Sequence, residues 1–150
     1  MVALGLVPDL TAKAARTAAS NAGAKVVKTF AYEISGSEQQ EIYDINPDLV
    51  LLCGGTDGGN KEVIIANAKH LVAIDRPFTT IVAGNKSAND DIKAIFDEAG
   101  KDVVITANVM PQFNKLNIEP ARDAIRQLFI SRIIEAKGLN ILQAMTPYKI

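Results

Sequence analysis

One repeated pattern constrains the fold of this chain more than any other feature of its sequence. Short runs rich in β-branched and other apolar residues recur along it, and a segment of helical length follows each run. The predicted strands cover residues 2–7, 25–33, 48–53, 78–83 and 102–107. Strands that alternate with helices form parallel βα units, so the pattern predicts a single α/β domain over residues 1–150.

The composition of the central strands predicts how the layers are arranged. The runs at 48–53 and 78–83 are apolar at successive positions, as in parallel strands that helices cover on both faces. Right-handed crossovers then give three layers, with a doubly wound five-stranded parallel sheet between two layers of helices. The flavodoxin-like strand order 2-1-3-4-5 is favoured, and the Rossmann-like order 3-2-1-4-5 stays open.

The predicted helices carry start and stop signals. The first covers about residues 10–22 and ends at Gly23, since glycine readily adopts the left-handed conformation that closes a helix. Ser35 has capping-box spacing to an acidic residue at the start of the second helix. Asn60 is predicted to cap the third helix and Ser87 the fourth.

Composition and charge exclude several classes of partner. The chain is 48% hydrophobic and 22% charged with a formal net charge of −1, so it lacks the basic excess of a nucleic-acid or membrane-surface protein. It has no apolar run near membrane-spanning length and no secretory signal pattern. With one cysteine, Cys53, and one histidine, His70, neither a disulfide nor a structural zinc site is expected. We therefore expect a cytoplasmic protein without a metal site.

Compact polar residues follow four of the predicted strands. Because the carboxyl ends of parallel strands meet at one edge of the sheet, they are predicted to form a rim that binds a ligand or partner. The rim comprises Asp9, Gly54, Gly55, Thr56, Asp57, Gly58, Gly59, Asn60, Asn85 and Asn108. The alternative is that its asparagines and glycines only form βα turns and helix caps, and both interpretations stay open here.

The glycine loop, residues 54–60, does not have the chemistry of a nucleotide site. Gly54 and Gly59 have P-loop spacing, but Asn60 stands at the position of the phosphate-binding lysine. Asp57 would place a carboxylate inside the anion cradle, and Thr56 replaces the middle glycine of the dinucleotide fingerprint. Neither nucleotide-binding motif is therefore present in the glycine loop.

Three segments carry a resemblance to a known family. They are PDLVLLCGGTDGGNKEVIIANAKHL (47–71), IVAGNKSA (81–88) and ANVMPQFNKLNIEPARDAIRQLFISRIIEAKGL (107–139). Together they resemble the central portion of the MutL family that is associated with adenosylcobalamin-dependent glutamate mutase, which is unrelated to the mismatch-repair protein of similar name. The resemblance extends over residues 1–150.

The resemblance implies a role in maintaining a cobalamin enzyme. The family is similar to actin/Hsp70-like ATPases, and its members are regarded as reactivating factors that help a mutase shed damaged cobalamin. Its two phosphate-binding segments are not found in this sequence, so the chain is expected to be a non-catalytic domain inserted in a longer ATPase-like protein. ATP and magnesium are then implied only for the full-length protein, and cobalamin only through the mutase subunits that are its expected partners.

Two other hypotheses stay open. In the first hypothesis, the chain is a stand-alone small-ligand-binding protein or enzyme. It uses the glycine loop as its site, with Asp57 as metal ligand or general base. In the second, the rim glycines only provide left-handed turns in a packing module.

Overall fold

The computed structural model describes residues 1–136 and shows an α/β domain. Its strands are β1 (Val2–Gly5), β2 (Lys28–Ala31), β3 (Leu49–Leu52), β4 (Thr79–Val82) and β5 (Val103–Ile105). Its helices are α1 (Pro8–Ala22), α2 (Gly36–Ile45), α3 (Glu62–Val72), α4 (Asn89–Ala99) and α5 (Glu119–Ala136). Each predicted strand is confirmed, although each is shorter than its apolar run because the ends of the runs enter the connections.

The sheet has the favoured strand order. All neighbouring strands are parallel, and the order β2-β1-β3-β4-β5 is that of flavodoxin-like folds, so the Rossmann-like alternative is wrong. The order reverses between β1 and β3, where Leu4 pairs with Leu52. Ligands of open α/β sheets bind most often at the carboxyl ends of the strands beside such a reversal.

The two faces of the sheet are packed with side chains of different size. Helices α2, α3 and α4 cover one face with large residues, among them Ile42, Leu71 and Phe96. Helices α1 and α5 cover the other, where α1 contributes a stripe of alanines. Because small side chains let a helix approach the sheet closely, α1 lies directly against β1 and β2. The stripe consists of Ala14, Ala15, Ala18, Ala19 and Ala22.

The helix ends confirm some of the predicted signals and correct others. The capping box at Ser35 is present, and Gly23 ends α1 with φ of 82°. The predicted cap at Ser87 is wrong, because a 3-10 turn (Lys86–Ala88) precedes α4 and the Ser87 amide donates to the Asn85 side chain. At α3 the N-cap residue is Lys61, and Asn60 Oδ1 accepts from the amide of Val63 at 3.3 Å.

Two further predictions are compared with the part of the chain that the structure describes. Among the helices within residues 1–136, none combines the length and the apolar character that crossing a membrane requires. The sequence also predicts that the fifth helix ends at Lys137 and Gly138, and these two residues lie outside the described part of the chain.

Candidate functional site

The glycine loop joins β3 to α3 at the carboxyl edge of the sheet, and its course requires glycine. Gly54, Gly55 and Gly58 have φ values of 144°, 74° and 80°, in the region that other residues rarely adopt. At Gly55 a Cβ atom would lie 2.2 Å from the carbonyl oxygen of Asn60, since the loop closes back on itself there. The glycines of the sequence motif are therefore explained by backbone geometry.

Asn85, which follows β4, holds the glycine loop in shape. It is fully buried, and its Oδ1 accepts from the amides of Gly58 and Ser87, both at 2.9 Å. Its Nδ2 donates to the carbonyl oxygens of Gly59 at 2.9 Å and Asn60 at 3.0 Å. An amide side chain has two donor hydrogens and two acceptor lone pairs, so these four bonds use its full capacity. Asn85 therefore clamps the loop and has no hydrogen-bonding capacity left for a ligand.

Asn108, which follows β5, makes a second clamp. Its buried Nδ2 donates to the carbonyl oxygen of Gly55 at 2.9 Å and to Asp57 Oδ1 at 3.1 Å. Its Oδ1 accepts from the amide of Met110 at 3.0 Å. The same oxygen of Asp57 accepts from the amide of Lys86 at 2.9 Å. The connections after β3, β4 and β5 are thereby joined into one hydrogen-bonded unit.

Three backbone amides of the glycine loop, those of residues 57–59, also bond within the protein. The Asp57 amide donates to the carbonyl oxygen of Pro111 at 3.0 Å, and the Gly59 amide donates to that of Thr56 at 2.9 Å. A phosphate cradle uses such amides as donors to the anion, and here protein oxygens already accept from them. These three amides are therefore not available as donors to a phosphate group.

The predicted rim residues are only partly brought together. Gly54, Gly55, Thr56, Asn60 and Asn108 line a cleft beside the glycine loop. Asp57, Gly58, Gly59 and Asn85 belong to the hydrogen-bonded unit behind it. Asp9 lies apart, exposed in the first turn of α1, and within the described structure it neither bonds to the glycine loop nor lines the cleft.

The cleft lies at the switch point, between the connection after β1 and the glycine loop. Its volume is about 190 Å³. The sequence analysis missed most of its wall, which is apolar and includes Leu6, Val7, Leu10, Val109, Met110 and Phe113. A signal was present, because the segments after β1 and after β5 carry large apolar residues beyond the ends of their strands.

Apolar side chains also surround the mouth of the cleft. Phe113 is 72% exposed and Val7 41% exposed, and both line the cleft. We call these two residues the apolar edge. Exposed apolar residues that lie together beside a cleft are characteristic of binding surfaces.

Cys53 lies at the base of the cleft, at the end of β3. It is buried, and burial raises the pKa of its thiol to about 12 because the apolar surroundings disfavour the thiolate. Cys53 is therefore a buried residue of the core, and buried cysteines are usually inert.

Comparison with known proteins identifies the family. The family model described as MutL protein matches residues 1–150 of this chain. The chain belongs to the MutL family. It is 51% identical over 140 residues to Protein MutL of Clostridium tetanomorphum, and the aligned region is 93% of this chain. The resemblance inferred from the three sequence segments is thus confirmed.

The same comparison shows how much of the relative's length the chain covers. The aligned region covers 30% of the Clostridium protein, so the chain spans less than a third of the length of that relative. What the whole relative does, and with which partners, is therefore a matter for proposal.

Proposed function

We propose that this chain is a docking domain of a MutL-type accessory factor that serves an adenosylcobalamin-dependent mutase. Membership of the MutL family supports the assignment, and the resemblance makes glutamate mutase the expected partner. In this proposal the domain is inserted in a longer ATPase-like protein in the cytoplasm, and it contributes contacts, not catalysis, to the release of damaged cobalamin.

One observation carries the docking role: the polar groups of the glycine loop are bonded to one another beside an exposed apolar surface. Asn85 and Asn108 fix the loop, so the neighbouring apolar edge is presented on a preorganised support. A preorganised surface loses little conformational entropy when a partner binds, and this favours association. The sequence-predicted rim and the apolar edge would then form one contact surface.

The proposal assigns nucleotide chemistry to other parts of the full-length protein. ATP and magnesium would bind outside this domain, and cobalamin would be reached only through the mutase. The isolated chain is then expected to show no magnesium-dependent ATP hydrolysis above the background of a buffer control. Hydrolysis that Asp57→Ala abolishes would overturn this part of the proposal, because Asp57 is the carboxylate within the glycine loop.

Binding to purified mutase subunits tests the docking role. The chain is immobilised and its affinity for each subunit is measured by interferometry, with and without adenosylcobalamin. Phe113→Ser is expected to weaken binding roughly tenfold or more, since exposed aromatic residues often anchor interfaces.

A matched control separates a specific contact from general loss of apolar surface. Val27 is 56% exposed and directly precedes β2, at the opposite edge of the sheet from Phe113. Val27→Ser should leave the affinity unchanged. Failure of the unmodified chain to bind any subunit under either condition would contradict the proposed partner.

The small-ligand hypothesis has an observation of its own in its favour. The cleft at the switch point is partly enclosed and mainly apolar, which is typical of small-molecule sites. The part of the glycine loop that lines it is Gly54, Gly55, Thr56 and Asn60, and Asp57 is not among the lining residues. A ligand there would meet backbone and hydroxyl groups instead of a catalytic carboxylate.

A further inference from the structure

We infer that the cleft binds a small neutral aromatic molecule with one hydroxyl substituent, and that the hydroxyl of Thr11 recognises this substituent. The ring would lie against the apolar wall of the cleft. This inference does not depend on the mutase partnership, because it rests only on the size, charge and hydrogen bonding of the cleft.

The volume of the cleft sets the size of the ligand. At about 190 Å³ it is somewhat larger than the apolar cavities of roughly 150 Å³ that accept benzene. It therefore suits one aromatic ring with a small substituent, and it is too small for a nucleotide or an intact corrinoid. The wall that would contact the ring contains Leu6, Leu10, Val109 and Met110.

The charge of the lining sets the charge of the ligand. None of the residues that line the cleft within the described part of the chain carries a formal charge. An ionised group would lose much of its hydration in such a site without gaining a partner of opposite charge. A neutral ligand is therefore favoured over a carboxylate or an amine.

Thr11 supplies the polar contact. It is only 7% exposed and lines the cleft, yet its hydroxyl makes no hydrogen bond to another group within residues 1–136. This hydroxyl therefore has hydrogen-bonding capacity left for a group that is bound in the cleft. Gly5 leaves room for this side chain, because a Cβ there would lie 1.9 Å from Thr11 Oγ1.

Two hydroxyl side chains of the described residues line the cleft, and Thr11 is more buried than Thr56. Asn108 has both amide hydrogens donated, to the Gly55 carbonyl and to Asp57. Thr11 can both donate and accept, so it matches a phenolic hydroxyl, which has the same two capacities.

Fragment binding to the 150-residue chain tests the inference. Phenol, benzene and benzoate are titrated separately, and heteronuclear NMR locates the perturbed amides. Phenol is expected to bind saturably and to shift resonances of the connections after β1 and β3. Benzene should bind about two- to tenfold more weakly because it lacks the hydrogen bond, and benzoate more weakly still.

A nearly isosteric substitution isolates the hydroxyl. Thr11→Val should weaken phenol binding about two- to tenfold while changing benzene binding by less than about twofold. Thr17→Val is the matched control, since Thr17 lies on the exposed side of the same helix. Leu10→Trp should block both ligands by filling the cleft, and circular dichroism verifies that each variant is folded.

Several results would overturn the inference. These are no saturable phenol binding up to about 10 mM, equal binding of benzoate, phenol affinity unchanged in Thr11→Val, or shifts centred away from the cleft. Occupation of the cleft by an aromatic side chain of a partner protein, with no binding of free phenol, would also overturn it. The fragment-binding results do not bear on the proposed docking role, which is measured separately with mutase subunits and Phe113→Ser.

Discussion

The segments after β1 and β3 lie side by side at the switch point, but they differ in how far their polar groups are hydrogen-bonded within the protein. After β3, the amides of Asp57, Gly58 and Gly59 all donate to protein oxygens, and Asn85 uses its full bonding capacity on this loop. After β1, the chain presents mainly apolar residues and the hydroxyl of Thr11, which has no partner in the described structure. The glycine loop thus uses these polar groups to hold its own shape, whereas the segment after β1 keeps a hydroxyl that can bond to a ligand.

The largest expected effect concerns Cys53, which lies where the two connections meet. With its pKa raised from 9.0 to about 12, its thiolate fraction near pH 8 should be about a thousandfold lower than in the unfolded chain. Its reaction with a disulfide reagent should be slower by a similar factor in native buffer than in denaturant, and should accelerate as the pH rises. Rapid stoichiometric labelling of the native chain would show that the base of the cleft is open.

The next largest effect is expected from substitution of Asn85, which clamps the glycine loop. Asn85→Ala removes four buried hydrogen bonds and leaves their partners in the glycine loop unsatisfied, so we expect a loss of about 3 kcal/mol in the free energy of unfolding. Urea denaturation measures it. Asn21→Ala, at an exposed position of α1, is the control and should change stability by less than about 0.5 kcal/mol. Equal effects of both would mean that the clamp contributes nothing.

Two glycine substitutions test how much the close contact at Gly55 contributes to the stability of the fold. Gly55→Ala combines a positive φ with a severe contact to the Asn60 carbonyl, and should cost about 2 to 3 kcal/mol. Gly58 has a similar φ but open space around its added Cβ, so Gly58→Ala should cost only about 1 kcal/mol. Thermal unfolding compares the two. If the costs were equal, the close approach at Gly55 would be without consequence.

The smallest expected effect falls on the connection after β1. Thr11→Val removes a buried hydroxyl that has no partner in the described structure, so stability should be unchanged or should rise by about 0.5 kcal/mol. Urea denaturation against Thr17→Val measures it. A loss above about 1.5 kcal/mol would show that the hydroxyl bonds within the protein, and the contrast between the two connections would then disappear.

The sequence predicted local features better than contacts. The capping box at Ser35 and the helix end at Gly23 were predictable because each depends on residues a few positions apart. The cap at Ser87 was wrong because its amide is bonded to Asn85 in a 3-10 turn that the local pattern does not distinguish from the helix. Asp9 follows a strand as predicted, but the start of α1 carries it into solvent.

By itself the sequence determined the fold class, the positions of the strands and the family. Apolar periodicity is a local property that burial enforces, and extensive similarity along the chain is visible without coordinates. Only the tertiary structure decided which polar residues are engaged and where the cleft opens. Asn85 bonds to Asn60, 25 positions away, and Asn108 to Gly55, 53 positions away. Such contacts exist only after strand order and register have brought separate connections to one edge of the sheet.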